Sequence, residues 1–561
     1  MSPRYLFVTL LCCGLLISCG KRAGEKDPMS ETAVVALSGD ADNLNPVVSN
    51  SSASQDIQGN VYPTMFDVSF NMREGKLEFE PSLVSSVEYS NNGKDVILRI
   101  RPDVYWEDGI LVTPLDIKFS FELYGDPEVA SPRRSYLESM MQTNGEFDVE
   151  KSIEILDDTT MVFHFQRRYP LQLFHLNLAP IPRHIYRNAD RKTLRANPAN
   201  ERALGAGPFK LEEWVRQQNI ILARNVNSNL PYPAKLERVI FRIISEPTTR
   251  LTELKKGTVD VMRPVYPEDV SDIQENNPDI KLVTLPPRNY EYIGWTNIDQ
   301  VEYHKSGKKT VRPHPLFGDR RVRQALTYAI DRKGILEDQL GPYGELAVTD
   351  FSPVFRWAIQ HDLIPFPYDP ERARQLLRSA GWSDSNGDGI LDKGGRDFAF
   401  TLHYNVGNKR REYAATVVQE NLKQLGIKVD LQSVEPVVFY QKIEDKQYDA
   451  FIAGFSVGLA IDPADRWGDI DSPFNTVAFQ NQRVTELLKL GLHVATERDA
   501  SPFWKEMQQI LHQEQPCTFM YWVKDIVGVN RRLKRTNINI LGVTDHMWDW
   551  TIGDPKSAVT Y

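Results

Sequence analysis

Cysteine and long apolar runs are both scarce in this 561-residue sequence. Of the four cysteines, Cys12, Cys13 and Cys19 belong to the N-terminal segment, and Cys517 stands alone in the rest of the chain. A single cysteine cannot form an internal disulfide, and the apolar neighbours of Cys517 predict a buried, structural thiol. Beyond the N-terminal run, no stretch approaches the roughly 20 apolar residues that a membrane-spanning helix needs. The sequence therefore predicts a body without disulfides or spanning helices.

An excess of positive charge is also lacking, and so are the common catalytic motifs. The net charge is −9 and the lysines and arginines are dispersed, which argues against a nucleic-acid surface. No His-Glu-x-x-His, no Cys-x-x-Cys after the N-terminal segment and no phosphate-binding Gly-Lys-Ser/Thr loop occurs. The ten histidines are scattered without the spacing of metal ligands. We therefore expect no cofactor and no nucleic-acid partner.

The N-terminal run is too short for a permanent membrane helix. Arg4 gives a basic start, and residues 5–17 are uncharged and apolar, which is typical of a cleaved export signal. Leu16-Ile17-Ser18-Cys19 resembles a bacterial lipobox, in which cleavage precedes the cysteine and its thiol receives a lipid. We expect a signal peptide over 1–18, lipid attachment at Cys19 and a flexible tether over 19–30. The alternatives are an ordinary signal with an incidental cysteine, or a cytosolic protein with an apolar start.

The remaining chain is rich in strand and helix periods. With 41% hydrophobic residues it can fill large cores, and its length predicts at least two lobes. Alternation on both sides of Asn92-Gly93 predicts a β-hairpin over 87–101. The same alternation recurs over 161–165, so residues from about 70 to 200 are expected to form a sheet-rich unit.

Two strand–helix–strand units follow. Alternation over 239–243 leads into a helix that Glu246-Pro247 opens and Gly257 closes, and a strand starts again at Val259. Alternation over 398–404 precedes a helix over about 411–425, which stops at Gly426 before a returning strand over 427–431. Such crossovers build parallel sheets covered by helices.

Two further helices are predicted in the second lobe. One has apolar residues on one face over 322–330. The other is capped by Asp369, has Pro370 at its first position and ends at Gly381. Two α/β lobes imply a cleft between them, and small ligands commonly bind at such interfaces.

One catalytic pattern occurs and is weak. Gly454-Phe455-Ser456-Val457-Gly458 matches the Gly-x-Ser-x-Gly nucleophile elbow, with His493, His512 and His546 downstream. The elbow must turn directly into a helix, however, whereas Asp462-Pro463 would begin one only later. A serine hydrolase using Ser456 is therefore a minor alternative.

One turn resembles half of a calcium loop. Asp384, Asn386 and Asp388 stand at alternate positions before Gly389, as in the first half of an EF-hand. The twelfth position is Gly395 instead of a bidentate glutamate. We expect a tight surface turn, with a weak calcium site as the alternative.

Several motifs together resemble the family 5 extracellular solute-binding proteins, the peptide- and nickel-binding lipoproteins of ABC importers. The resemblance covers nearly the whole chain after the N-terminal segment. It rests on Asn92-Gly93-Lys94-Asp95-Val96-Ile97-Leu98-Arg99-Ile100-Arg101, Trp106-Glu107-Asp108-Gly109, Gly205-Ala206-Gly207-Pro208-Phe209-Lys210, Arg321-Val322-Arg323-Gln324-Ala325-Leu326, Tyr368-Asp369-Pro370, Ala380-Gly381-Trp382, Tyr448-Asp449-Ala450 and Asp462-Pro463.

The resemblance implies a type II periplasmic-binding-protein fold, with two α/β lobes, an extra sheet-rich subdomain and a cleft between the lobes. Lobe I is expected from 31–70, 205–290 and 520–561, the subdomain from 71–204 and lobe II from 291–519. The implied function is capture of a solute by hinge closure and delivery to an ABC transporter permease, by a protein that is not an enzyme. We expect an extracytoplasmic monomer held at a bacterial membrane by its lipid.

Peptides are the leading ligand class, because members of the resembled family most often bind them. A nickel chelate or an oligosaccharide is the alternative. Many peptide binders place an Asp shortly after the Gly-Phe of the cleft strand, whereas this chain has none before Asp462. The expected cleft residues are Leu44, Asn45, Tyr62, Tyr290, Trp295, Trp357, Gly454, Phe455, Asp462 and Trp467.

Overall fold

The computed structural model describes residues 31–553. The predicted signal peptide, lipid-attachment residue Cys19 and tether lie outside the described residues. No helix within 31–553 is long and apolar enough to cross a membrane.

Lobe I is built on a seven-stranded sheet whose central strands are parallel. Thr32–Leu37 lies between Arg238–Ile243 and Val261–Val265 and is parallel to both. The helix Pro247–Lys255 connects these two neighbours, and Gly257 ends it with a positive φ of 74°, which confirms the first predicted unit. In spatial order the strands are Phe209–Val215, Asn219–Arg224, Arg238–Ile243, Thr32–Leu37, Val261–Val265, Ile526–Asn530 and Ile280–Thr284.

The sheet-rich subdomain shares one apolar core with lobe I. Val84–Ser90 and Asp95–Ile100 form the predicted hairpin, with Asn92 and Gly93 at positive φ in its turn. Thr160–His164 and Ile153–Ile155 complete a four-stranded sheet. A separate hairpin joins Phe66–Asn71 to Lys76–Pro81. The shorter strand pairs are Gln142–Thr143 with Glu146–Phe147, Asp392–Lys393 with Arg396–Asp397, and Leu533–Lys534 with Thr551–Ile552.

Lobe II contains a six-stranded sheet with a separate core on each face. Ile293 and Trp295 belong to one core, and Tyr290 and Tyr292 to the other, as expected for a strand whose side chains alternate between faces. In spatial order the strands are Gly344–Leu346, Cys517–Val523, Asn289–Trp295, Ala450–Ser456, Ala399–Asn405 and Lys428–Val434.

The remaining helical predictions are also confirmed. Lys409–Lys423 connects the parallel strands Ala399–Asn405 and Lys428–Val434, and Asp369 caps a helix with Pro370 at its first position. The α-helices are Ser52–Val61, Pro114–Gly125, Val149–Ser152, Gln172–Leu176, Arg183–Tyr186, Pro247–Lys255, Val270–Asn276, Gln300–Lys305, Arg320–Ala329, Arg332–Gln339, Pro370–Ser379, Lys409–Lys423, Pro436–Glu444, Ala464–Trp467, Gln482–His493 and Glu497–Glu514.

Three predicted boundaries move. The one at 519/520 falls inside Cys517–Val523 and the one at 290/291 falls inside Asn289–Trp295, and both strands belong wholly to lobe II. The chain therefore crosses between lobes at 285–288 and at 524–525. The boundary at 70/71 falls inside the hairpin strand Phe66–Asn71. Alternation along a strand does not reveal which sheet the strand joins, so strand pairing alone sets these limits.

Candidate ligand-binding cleft

A cavity of about 550 Å³ opens at the carboxyl ends of the parallel strands Thr32–Leu37 and Val261–Val265. Carboxyl strand ends are where open α/β sheets usually bind ligands, and the volume is typical of a small-molecule site. Its lining includes Ser38, Asp40, Ser52, Gln55, Asp56, Tyr62, Asp67, Tyr232, Arg263, Arg288, Leu541, Thr544, Asp545, His546 and Trp548.

The first helix, Ser52–Val61, is held against the cavity by close backbone contacts. The Ser51 side chain caps it, and the Gly207 amide donates to the Val61 carbonyl at 2.8 Å. A Cβ on Gly207 would lie 2.6 Å from the Asn60 carbonyl oxygen, so only glycine fits there. Tyr62, a predicted cleft residue at the end of the helix, lines the cavity, and burial raises the pKa of its phenol.

A charged histidine forms part of the wall. His546 Nε2 lies 3.0 Å from the Asp67 carboxylate, and its Nδ1 lies 3.1 Å from Asp545 Oδ2. Burial alone would lower the pKa of His546, but the two carboxylates outweigh burial and raise the pKa to about 10. The imidazolium therefore links the hairpin that carries Asp67 to the C-terminal segment at neutral pH.

A second, smaller recess lies in lobe II and is aromatic. Tyr290, Phe455 and Trp467 line one small recess, and the Arg466 guanidinium lies 4.9 Å from the centre of the Phe455 ring. Buried Asp350 fixes this group, because its Oδ2 accepts from Arg466 Nε at 2.5 Å and from the Trp467 indole at 2.9 Å. Three of the predicted cleft residues are thus brought together.

Carboxylates from both sides of the cleft face one another beside this recess. Asp462 lines a neighbouring pocket with Asp350 and Arg466. Burial raises the pKa of Asp462, and the charge of Asp465 adds to the rise. On the subdomain, burial raises the pKa of Glu138, and both Asp462 and Asp465 contribute further. A cationic ligand group at this point would relieve the repulsion.

The other predicted cleft residues lie elsewhere. Leu44 and Asn45 are fully buried in lobe I, where the Asn45 amide donates to Asn200. Trp295 is also fully buried, and its indole donates to Thr518. These three residues do not line the cavity and we leave them out of the proposed site.

The last two predicted cleft residues, Gly454 and Trp357, lie at packing contacts and do not line the cavity. A Cβ on Gly454 would lie 2.7 Å from Arg411 Nη2, so this glycine leaves room for the buried ion pairs that Glu291 makes with Arg410 and Arg411. Trp357 borders a crevice shared by lobe II and Leu171 of the subdomain.

Sequence reasoning missed the charged lining. Asp56, Arg263, Arg288 and His546 belong to no motif and are far apart in sequence. The one available signal was that Arg263 and Arg288 each stand beside a proline.

The nucleophile-elbow pattern lacks its catalytic setting. Ser456 ends the strand Ala450–Ser456, and the next helix begins only at Ala464. The candidate bases are engaged elsewhere: His493 and His512 contact backbone carbonyls, and His546 contacts Asp67 and Asp545.

The calcium-like turn is held by its own backbone. The Asp384 carboxylate accepts from the amides of Gly387, Asp388 and Gly389 at 2.7, 3.1 and 3.0 Å. Across residues 31–553, no group of three or more His, Cys, Asp or Glu is arranged to hold a metal ion. Cys517 is free and buried, as predicted, and burial raises its pKa.

Comparisons with known proteins agree with this architecture. Residues 78–474 match the family described as bacterial extracellular solute-binding proteins, family 5 Middle. The oligopeptide-binding protein AppA of Bacillus subtilis is 30% identical over 530 residues, which cover 92% of this chain and 91% of AppA.

Two solved structures superimpose over almost the whole chain. AppA of Bacillus subtilis in complex with a nonapeptide has a TM-score of 0.73 at 28% identity, covering 93% of this chain and 99% of AppA. NikZ of Campylobacter jejuni in complex with Ni(L-His) has a TM-score of 0.75 at 20% identity, with coverages of 93% and 99%, and shows the fold alone.

Proposed function

Since the chain belongs to the family 5 bacterial extracellular solute-binding proteins, we propose that it captures peptides and delivers them to the permease of an ABC importer. The observation that carries the proposal is a cavity at the strand ends of lobe I, beside the segments where the chain crosses to lobe II. The named ligand class of AppA, at 30% identity, supports peptides over other solutes.

Capture would proceed by hinge closure about the two crossing segments. The lobes already touch beyond the cavity, where the rings of Phe70 and Phe355 are 6.2 Å apart and Gly75 packs on the backbone of residues 354–356. A ligand that contacts both lobes favours this closed arrangement over an open one. Binding of this kind changes the shape of the protein and leaves the ligand chemically intact, in contrast to the hydrolase alternative.

Asp462 is the proposed partner of a peptide amine. The negative charges of Asp465 and Glu138 act against that of Asp462, and Arg466, which is paired with Asp350, only partly offsets them, so an ammonium group would be favoured there. Phe455, which is half-buried, would pack against an apolar side chain of the peptide, with Tyr290 and Trp467 buried beside it in the same recess.

The test uses the protein without residues 1–19 and matched peptides with free or acetylated amino termini. We expect calorimetric binding of free-amine peptides, and an at least tenfold loss of affinity in Asp462→Asn. Acetylated peptides should bind the two proteins alike. If no peptide binds, while a nickel chelate or an oligosaccharide does, the peptide proposal is wrong and that solute takes its place.

The membrane attachment belongs to the proposal as well. A lipid on Cys19 with a tether over 19–30 would keep a monomeric, extracytoplasmic body near its permease and raise the local concentration of the binding protein there. Because Cys19 lies outside the described residues, this part rests on the Leu16-Ile17-Ser18-Cys19 pattern.

A further inference from the structure

Two arginines line the cavity at the point where the chain crosses between the lobes. Arg263 Nη2 lies 2.5 Å from Asp525 Oδ2 and is thereby paired. Arg288 makes only a long hydrogen bond, 3.4 Å from its Nη1 to the Val457 carbonyl, and within residues 31–553 it has no ion pair with a carboxylate. One cation of the two therefore lacks an anionic partner.

Three adjacent strands bring this group together. Arg263 lies in Val261–Val265, Asp525 directly precedes Ile526–Asn530, and Arg288 follows Ile280–Thr284. These strands are neighbours in the lobe I sheet, and the Leu285 amide donates to the Asp525 carbonyl at 2.7 Å. Both arginines are thus held by the backbone of the sheet at the edge of the cavity.

The unpaired guanidinium is energetically unfavourable where it stands. Burial lowers the pKa of Arg288 and the neighbouring Arg263 cation lowers it further, whereas the Asp525 carboxylate, which is paired with Arg263, only partly opposes the shift. A half-buried guanidinium whose donors lack strong acceptors bears a desolvation cost that an anion would remove. A carboxylate matches the planar fork of an arginine in shape as well as in charge.

The acidic residues of the cavity have other partners. Asp40 accepts from the Trp214 indole and from the Gln217 amide, each at 2.9 Å. Asp67 is paired with His546, and Asp56 accepts from the Thr544 hydroxyl at 2.9 Å. Among the described residues, Arg288 is therefore the one cation of this cavity that has no carboxylate partner.

We propose that Arg288, with Arg263 beside it, binds a carboxylate of the captured peptide. This inference rests on the proposed function, and it adds that the captured peptide must carry a carboxylate. The carboxylate is the carboxyl terminus or an acidic side chain. Because the Val457 amide donates to the Arg288 carbonyl at 2.9 Å, this anion would bind beside a backbone contact between the crossing segment and lobe II.

The experiment exposes the protein without residues 1–19 to three peptide libraries of equal length. One lacks Asp and Glu but has free carboxyl termini, the second is the same library amidated, and the third is amidated with one Glu per peptide. Peptides retained after gel filtration are counted by mass spectrometry. Wild-type protein should retain at least tenfold more of the first or the third library than of the second, and the favoured library identifies the source of the carboxylate.

The matched variants are Arg288→Gln and, as control, Arg378→Gln on the exposed side of the helix Pro370–Ser379. Arg288→Gln should fold, since it loses only one long hydrogen bond, and should retain all three libraries alike. Arg378→Gln should behave as wild type. Equal retention of carboxylate and amide by wild type, or undiminished preference in Arg288→Gln, overturns this inference alone. Retention of no library by wild type overturns the peptide proposal and this inference with it.

Discussion

Gly75 offers a direct test of lobe closure. It lies in the turn between Phe66–Asn71 and Lys76–Pro81, with φ of +73°, and packs on the backbone of lobe II. A Cβ at this position would lie 2.5 Å from the Arg356 nitrogen and nearer still to the Val354 carbonyl oxygen. Ordinary contact would require the two lobes to separate by about 1 Å. We therefore expect Gly75→Ala to hold the lobes apart.

Gly145→Ala is the matched control. Gly145 also lies in a hairpin turn, with φ of +82°, but a Cβ there would meet no atom within 4 Å. Both variants bear a backbone strain of about 1 kcal/mol. Only Gly75→Ala adds a steric clash, and overpacking of this kind typically costs about 1–3 kcal/mol. At about 1.4 kcal/mol per factor of ten, the expected loss of ligand affinity is roughly fivefold to a hundredfold.

The assay combines calorimetric ligand affinity with the radius of gyration from small-angle X-ray scattering. In the presence of ligand, Gly75→Ala should remain more expanded than wild type, whereas Gly145→Ala should contract normally. If the two variants have equal ligand affinities and equal radii of gyration, the turn at Gly75 does not contact lobe II in the ligand-bound state, and the reasoning is wrong.

Three further outcomes are expected. Burial raises the pKa of Glu497 to about 7, so ionisation of its carboxyl destabilises the fold fully above pH 7 and not below pH 4.5. In urea unfolding at pH 8, Glu497→Gln should raise the free energy of unfolding by about 1–2 kcal/mol, whereas exposed Glu275→Gln should leave it unchanged. An equal gain for Glu497→Gln at pH 4 and pH 8 would contradict this prediction. The raised pKa of His546 means that its ion pairs stabilise the fold fully below pH 6.5 and lose this effect as the pH rises toward 10. In the same assay, the loss of unfolding free energy in His546→Asn should therefore become smaller from pH 6.5 to pH 10. A loss that does not change with pH would argue against the ion pairs with Asp67 and Asp545. Finally, Cys19→Ala should move the protein from the membrane to the soluble fraction and abolish its lipid mass, whereas persistent membrane attachment would contradict lipidation at this residue.

Local structure was largely predictable from the sequence. The hairpin around Asn92-Gly93 and the helix that Asp369 caps follow from turn, proline and capping preferences that act within a few residues. The strand–helix–strand unit that ends at Gly426 is equally local, because only glycine adopts its φ of 79° without strain. Lobe boundaries were less predictable, since Cys517–Val523 joins its sheet beside Asn289–Trp295, a strand more than two hundred residues away.

The features of the candidate cleft also divide into those that local sequence determines and those that long-range contacts determine. The sequence alone determined that this chain has two α/β lobes, because the periodicity of strands and helices is encoded by neighbouring residues. Only the tertiary structure decided that Tyr290, Phe455 and Trp467 meet, that Trp295 is core, and that Arg288 is left without a carboxylate. The physical reason is that charge pairing and burial depend on distances through space, which sheet order and lobe contact set after the local elements have formed.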